Sequence, residues 1–143
     1  MTSETPNILS WNVRGLNTPA HCLTVHETVS ATPCHIACFQ ETKLHTIDQS
    51  LANFLGGYRL NKFAYKPAHG TRGGILVAWN ENIIEVHNTA FGRYSLTTMM
   101  TVRSTGQFFK LITVYGPSRR PEKEAFLQHL RDLKPQDDTN GSF

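Results

Sequence analysis

At 143 residues, with 39% apolar side chains, 10 glycines and 7 prolines, the chain has the mass for one folded domain and lacks the bias of a fibrous or low-complexity protein. A formal charge of +3 admits an anionic partner but falls short of the dense basic face of a dedicated nucleic-acid binder. Cys22, Cys34 and Cys38 are an odd set without a Cys-x-x-Cys pair, which argues against a disulfide framework, and no disulfide partner is expected. Residues 1–7 lack an apolar signal core, and no run approaches the roughly 20 apolar residues of a membrane span. A soluble protein of the nucleus or cytoplasm, without a membrane partner, is the expectation.

Residues 7–12 form an apolar-rich run closed by Arg14-Gly15-Leu16-Asn17, the pattern of a strand entering a polar loop. Thr18-Pro19 opens a helix in which Cys22, Val25, His26 and Val29 share a face, and Pro33 stops it. Residues 35–39 are continuously apolar, as in a strand buried on both faces. Thr46-Ile47-Asp48-Gln49 has capping-box spacing, with Ile47, Leu51, Phe54 and Leu55 as the stripe of a second helix that Gly56-Gly57 ends.

Strands are then expected over residues 58–65, 75–79, 83–91, 95–103 and 108–115, punctuated by glycine and asparagine. Leu96, Thr98, Met100 and Val102 alternate with Thr97, Met99, Thr101 and Arg103, which implies one better-buried face. A last helix starts at Pro121 with the stripe Phe126, Leu130 and Leu133. Residues 134–143 have no pattern and read as a disordered tail behind a domain of residues 1–133.

Three polar signals sit where apolar strands end: Trp11-Asn12, Gln40-Glu41-Thr42-Lys43 and Tyr115-Gly116-Pro117. A carboxylate such as Glu41 is a hard oxygen ligand suited to Mg²⁺, which binds through one or two protein carboxylates plus waters and substrate phosphate. Asn12 supplies an amide that can donate to a phosphate oxygen or metal-bound water, and Lys43 brings positive charge to the same rim. Each has a plainer reading: a strand terminus for Glu41, a turn cap for Asn12, a rim aromatic for Tyr115, and solvated surface charge for Lys43 and Arg14. Gly70-Thr71-Arg72-Gly73-Gly74 lacks the Gly-Lys-Ser/Thr ending of a phosphate cradle and is read as a turn. Cys34, His35 and Cys38 diverge in direction on a strand and are read as buried filler instead of a zinc site.

Residues 8–17 (Ile-Leu-Ser-Trp-Asn-Val-Arg-Gly-Leu-Asn), followed by Ala37-Cys38-Phe39-Gln40-Glu41-Thr42-Lys43, residues 73–80 and residues 113–118, resemble the endonuclease/exonuclease/phosphatase superfamily. The nearest look-alikes are the endonuclease domains of plant LINE-type retrotransposons. The resemblance implies an α/β fold, a four-layer sandwich of two face-to-face mixed sheets with outer helices. It also implies cleavage of DNA phosphodiesters with Mg²⁺ or Mn²⁺. Asn12 and Glu41 then stand at the metal, Tyr115 at the scissile phosphate, and Lys43 and Arg14 near the DNA backbone.

The family's second half supplies an Asp-x-Asn motif, a further aspartate and a Ser-Asp-His segment, and these have no convincing counterpart here. None of the 7 histidines follows an aspartate. Asp138-Thr139-Asn140 spells Asp-x-Asn, but Lys134-Pro135-Gln136-Asp137 before it cannot form the rigid strand that such ligands need. The expectation is therefore the N-terminal half of the domain, with the C-terminal half missing and the chain inactive by itself. A non-catalytic or DNA-binding remnant, and a phosphatase acting on inositol phosphates or sphingolipids, are the alternatives. Half a sandwich is also expected to bare one sheet face of on the order of 1,000 Å², beyond what monomers tolerate, and to be aggregation-prone or molten.

Overall fold

The computed structural model of the chain describes residues 6–116. The helix expected from Pro121, the tail from residue 134 and the triplet Asp138-Thr139-Asn140 lie outside the described residues. Within them the order is β1 (Ile8–Asn12), α1 (Pro19–Ala31), β2 (Ile36–Gln40), α2 (Gln49–Leu55), β3 (Lys62–Lys66), β4 (Ile75–Trp79), β5 (Ile84–Phe91), β6 (Ser95–Val102) and β7 (Phe108–Val114).

Thr18 caps α1 through its side chain, which accepts from the His21 N–H at 3.2 Å, and Pro19 sits in the first turn where its missing N–H costs nothing. At the other end Arg59 donates to the Val29 carbonyl at 2.9 Å and to the Thr32 carbonyl, covering acceptors that the helix leaves open. The second helix departs from the expected capping box. Asp48, not Thr46, is its N-cap, accepting from the Leu51 N–H at 2.8 Å, and this puts Ile47 into the core.

β3 starts at Lys62 instead of residue 58. The apolar text before it serves the exit from α2, where Gly57 and Tyr58 take left-handed φ of 64° and 67°, their N–H groups return to the helix carbonyls of Phe54 and Asn53, and the Leu60 N–H donates to the carbonyl of the C-cap Gly56.

The strands form one sheet in the order β1-β2-β4-β3, in which only β1 and β2 run parallel, and an antiparallel sheet β5-β6-β7. The first is mixed as expected; the second is antiparallel over its described strands. Alternation on β2 sends Ala37 and Phe39 towards the helices, where they join Val25, Val29, Leu55, Leu76 and Ala78. Ile36 and Cys38 point the other way, joining Ile75, Val77 and Trp79 from β4 with Leu96, Met100 and Val102 from β6.

Burial on both faces explains why the texts of β2 and β4 are continuously apolar; on β6 Ser95 and Thr97 of the alternate face are buried as well, and its two faces differ in exposure only from Met99 onward. The second sheet stacks with β7 over β2 and β4 and β6 over β3. A helix layer and two sheets are thus in place. The expected bare sheet face shrinks to the margins, because β2, β4 and β3 are covered by β6 and β7 within residues 6–116 while β1, among the described residues, has no strand of the second sheet over it. Exposure is confined to places such as Ile8 on β1, at 42%, and Phe91 and Phe108 on the second sheet, at 60% and 59%.

Cys34 belongs to the helix-side cluster and Cys38 to the inter-sheet cluster, on opposite faces, as expected for filler. All three cysteines are free thiols, and desolvation pushes the Cys38 thiol up to about 11. Among the described residues no helix is long and apolar enough to cross a membrane.

Candidate active site

The carboxyl ends of β1 and β2 lie side by side, with Asn12 opposite Gln40 in register. Main-chain hydrogen bonds continue past the strands. Val13 N–H donates to the Gln40 carbonyl at 3.0 Å, Gly15 to Glu41 at 2.7 Å and Leu16 to Thr42 at 2.9 Å, while Thr42 and Lys43 donate to Gly74 and Gly73 at 3.1 and 2.8 Å. Three loops remote in sequence are thereby fastened at one edge of the sheet.

Arg14, Glu41 and Lys43 adopt left-handed φ of 55°, 58° and 60°. Side chains of this type pay roughly 1–2 kcal/mol each for that conformation, which persists only where the surroundings enforce it. The enforcing contacts are tight. A Cβ on Gly74 would stand 2.3 Å from Thr42 Oγ1, and one on Gly73 would stand 2.6 Å from Cζ of Tyr115, so the two glycines seat the Glu41 loop and the tyrosine ring respectively.

Asn12 and Glu41 meet: Asn12 Nδ2 donates to Glu41 Oε2 at 2.5 Å. Asn12 Oδ1 accepts from the Arg14 N–H at 3.0 Å, an Asx turn that fixes which way the amide points. Gln40 Nε2 donates to Ser10 Oγ at 2.9 Å on the same face. Asn12 therefore steers the carboxylate, and its backbone-bonded oxygen is the only atom it could turn towards a cation.

Beside this pair opens a cleft of about 850 Å³ between the edges of the two sheets. Its floor carries Glu41, Lys43, Lys66 and the turn with His69, Arg72 and Gly73; its roof carries Arg93, Tyr94 and Tyr115. Tyr115 packs edge-on against Tyr94 at 5.6 Å between centroids, and its hydroxyl donates to the Arg93 carbonyl at 3.5 Å. The Arg93 guanidinium lies 5.2 Å from the Tyr94 ring centre. His69 and Arg72 pair across the turn expected at residues 70–74.

Of the residues singled out in the sequence, Glu41, Lys43 and Tyr115 share the cleft and Asn12 touches Glu41, whereas Asn12 and Arg14 do not line the cleft themselves. Lys66, Arg72 and Arg93 escaped the sequence reading. The available signals were a lysine closing a strand and arginines beside turn glycines, neither distinctive alone.

Among the described residues no three His, Cys, Asp or Glu side chains cluster as metal ligands. One carboxylate backed by an amide does not suit zinc, which takes three or four N/S/O ligands from the protein. It suits Mg²⁺ or Mn²⁺, which keep waters and borrow oxygens from a phosphate.

An α/β sandwich with strained, polar strand ends around a carboxylate is the setting of a sheet hydrolase, and the comparisons narrow it. The chain belongs to the endonuclease/exonuclease/phosphatase family, whose pattern matches residues 9–142. TDP2 of D. rerio complexed with a single-strand DNA product superposes with a TM-score of 0.60 at 16% identity, covering 91% of this chain and 55% of that one. The APE2 catalytic domain of Xenopus laevis gives 0.55 at 16% identity, with 87% and 49% covered. The AP endonuclease LMAP of Leishmania major gives 0.54 at 16%, with 94% and 51%. At such identities these show the shared fold, and the chain spans about half the length of each. No curated protein sequence matches it.

Proposed function

We propose that the chain supplies the metal-holding part of a divalent-metal phosphodiesterase site that cuts DNA, of the type found in LINE-type retrotransposon endonucleases. The observation that carries this reading is the 2.5 Å contact between Asn12 Nδ2 and Glu41 Oε2 at adjacent strand ends beside a cationic cleft. Family membership supports a nuclease-type hydrolase, and the ordered segments 8–17, 37–43, 73–80 and 113–118 support the retrotransposon type.

Glu41 holds the ion, Mg²⁺ or Mn²⁺, and Asn12 fixes the carboxylate's direction. When bound, the ion polarises phosphoryl oxygens and stabilises charge on the leaving group. Lys43 and Tyr115 contact the phosphate from either side of the cleft, and Arg14 meets the backbone outside it. The sequence contains no Asp-His pair to manage the attacking water, so the chain alone is expected to turn over negligibly, since catalytic groups acting as a unit do not leave proportionate activity when some are absent. Its partner is DNA.

Mn²⁺ binding by the full chain, followed by electron paramagnetic resonance, tests the metal role. Binding is expected to disappear in Glu41→Ala and to weaken roughly 10- to 100-fold in Asn12→Ala. Plasmid nicking in Mg²⁺ against an EDTA control is expected to be at background. Metal-dependent nicking that survives Glu41→Ala would overturn the assignment.

A further inference from the structure

Lys43 accounts for only one of the cations around the cleft. Lys66 closes β3 opposite Ile75, Ile75 lies opposite Gln40, and Gln40 lies opposite Asn12, so these residues form one row across the edge of the four-stranded sheet. With strands about 4.8 Å apart, the strand bearing Lys66 stands roughly 10 Å from the one that ends at Glu41. That span is too long for a lone phosphate to bridge, so two or more phosphates of one backbone are needed to reach from one side to the other.

Arg93 enters from the opposite wall, on the turn between β5 and β6, and its guanidinium rests on the Tyr94 ring. An aromatic seat holds a long cation in one place at little further entropic cost. Among the described residues Lys43, Lys66 and Arg93 form no ion pair, whereas Lys62 and Arg103, outside the cleft, each stand 3.9 Å from a carboxylate. Among the described residues the cleft, open to solvent, thus carries Lys43, Lys66 and Arg93 without an ion-pair partner beside the Glu41 carboxylate.

We infer that Lys66 and Arg93, with Arg72 on the intervening turn, form a second anchoring line for backbone phosphates that flank the one at Glu41. The site then takes a polynucleotide strand with at least two backbone phosphates in preference to a small phosphate ester. The inference rests on the phosphodiesterase reading and deepens it by stating the form of the substrate.

Fluorescence anisotropy of a labelled 12-nucleotide single strand with the full chain, titrated across a KCl series in EDTA, reads this line without the metal. Each lost phosphate contact removes about 0.7 from the slope of log affinity against log salt for a single strand. Lys66→Gln is expected to lower the slope by about 0.7, and Lys66→Gln with Arg93→Ala by about 1.4. Lys62→Ala and Arg103→Ala are expected to leave it unchanged, with melting curves checking that every variant folds. An unchanged slope in Lys66→Gln and in the double variant overturns the inference. So does equal competition by thymidine monophosphate or by a poly-glutamate peptide of matched charge. Glu41→Ala separates the two readings: its salt slope persists in EDTA if the anchoring line stands, whatever becomes of Mn²⁺ binding.

Discussion

The four-stranded sheet carries an asparagine hydrogen-bonded to a glutamate at each end, and the two pairs live in different surroundings. At the end away from the cleft, Asn61 Nδ2 donates to Glu81 Oε1 at 3.3 Å and Asn61 Oδ1 accepts from the Glu81 N–H at 3.1 Å. Lys62 stands 3.9 Å from the same carboxylate and Arg103 Nε donates to the Glu81 carbonyl at 2.6 Å. Asn61, Lys62 and residues 80–82 there all stay out of the left-handed region. At the cleft end Glu41 has Asn12 at 2.5 Å, no cation in ion-pair reach among the described residues, and a left-handed backbone on both sides of Thr42. Residue identity is shared between the ends; strain and unneutralised charge are not, and those two properties mark the place where chemistry is expected.

That contrast can be broken most sharply at Gly74. Gly74→Ala forces a Cβ onto Thr42 Oγ1 at a φ of 90° and is expected to cost about 2–4 kcal/mol in urea unfolding. Asn82→Ala, in the relaxed turn where Asn82 N–H donates to Asn80 Oδ1 at 2.9 Å, should cost less than about 1 kcal/mol. Equal costs would mean that the cleft end is no more tightly determined than its counterpart.

Smaller and of opposite sign, Arg14→Gly relieves a left-handed φ of 55° and is expected to stabilise the fold by up to about 1 kcal/mol. Asn82→Gly gains no such relief and should lower stability by a few tenths. Denaturation midpoints of the two variants sharpen the claim that strain is concentrated on one side.

A last, pH-dependent effect concerns the core between the ends. Cys38 is neutral when folded up to about 11, against an ordinary thiol value of 9.0, because burial disfavours the thiolate. Between those values the unfolded chain releases this proton while the folded chain keeps it, so stability falls as pH rises through the window. Cys38→Ala is expected to flatten that fall in thermal melts from pH 8.5 to 11.

Much of this architecture is written in local patterns. Burial on both faces of β2 and β4 leaves continuous apolar runs, β6 alternates, and the abrupt change from apolar to polar at Asn12 and Glu41 locates the rim. The misses have local causes as well. Asp48 displaces Thr46 as a cap because its side chain reaches the Leu51 N–H, and the apolar Leu60 reads as strand although it packs beneath the exit of α2. The anchoring cations were illegible for a different reason: Lys66 and Arg93 sit on separate sheets, and only the stacking of β6 and β7 over the first sheet brings them to one opening. The expected bare face was too large because it imagined a division between the sheets, whereas the described residues contribute strands to both and leave only margins such as β1 uncovered.

The loops at the rim are stitched to one another through peptide groups, from Val13 to Leu16 on one side and Thr42 to Gly74 on the other. Peptide groups are common to every amino acid, so the stitching does not depend on what the outward-facing positions carry. Positions 12, 14, 41 and 43 can thus be rewritten over evolutionary time, or by an engineer, while the platform beneath them stays put.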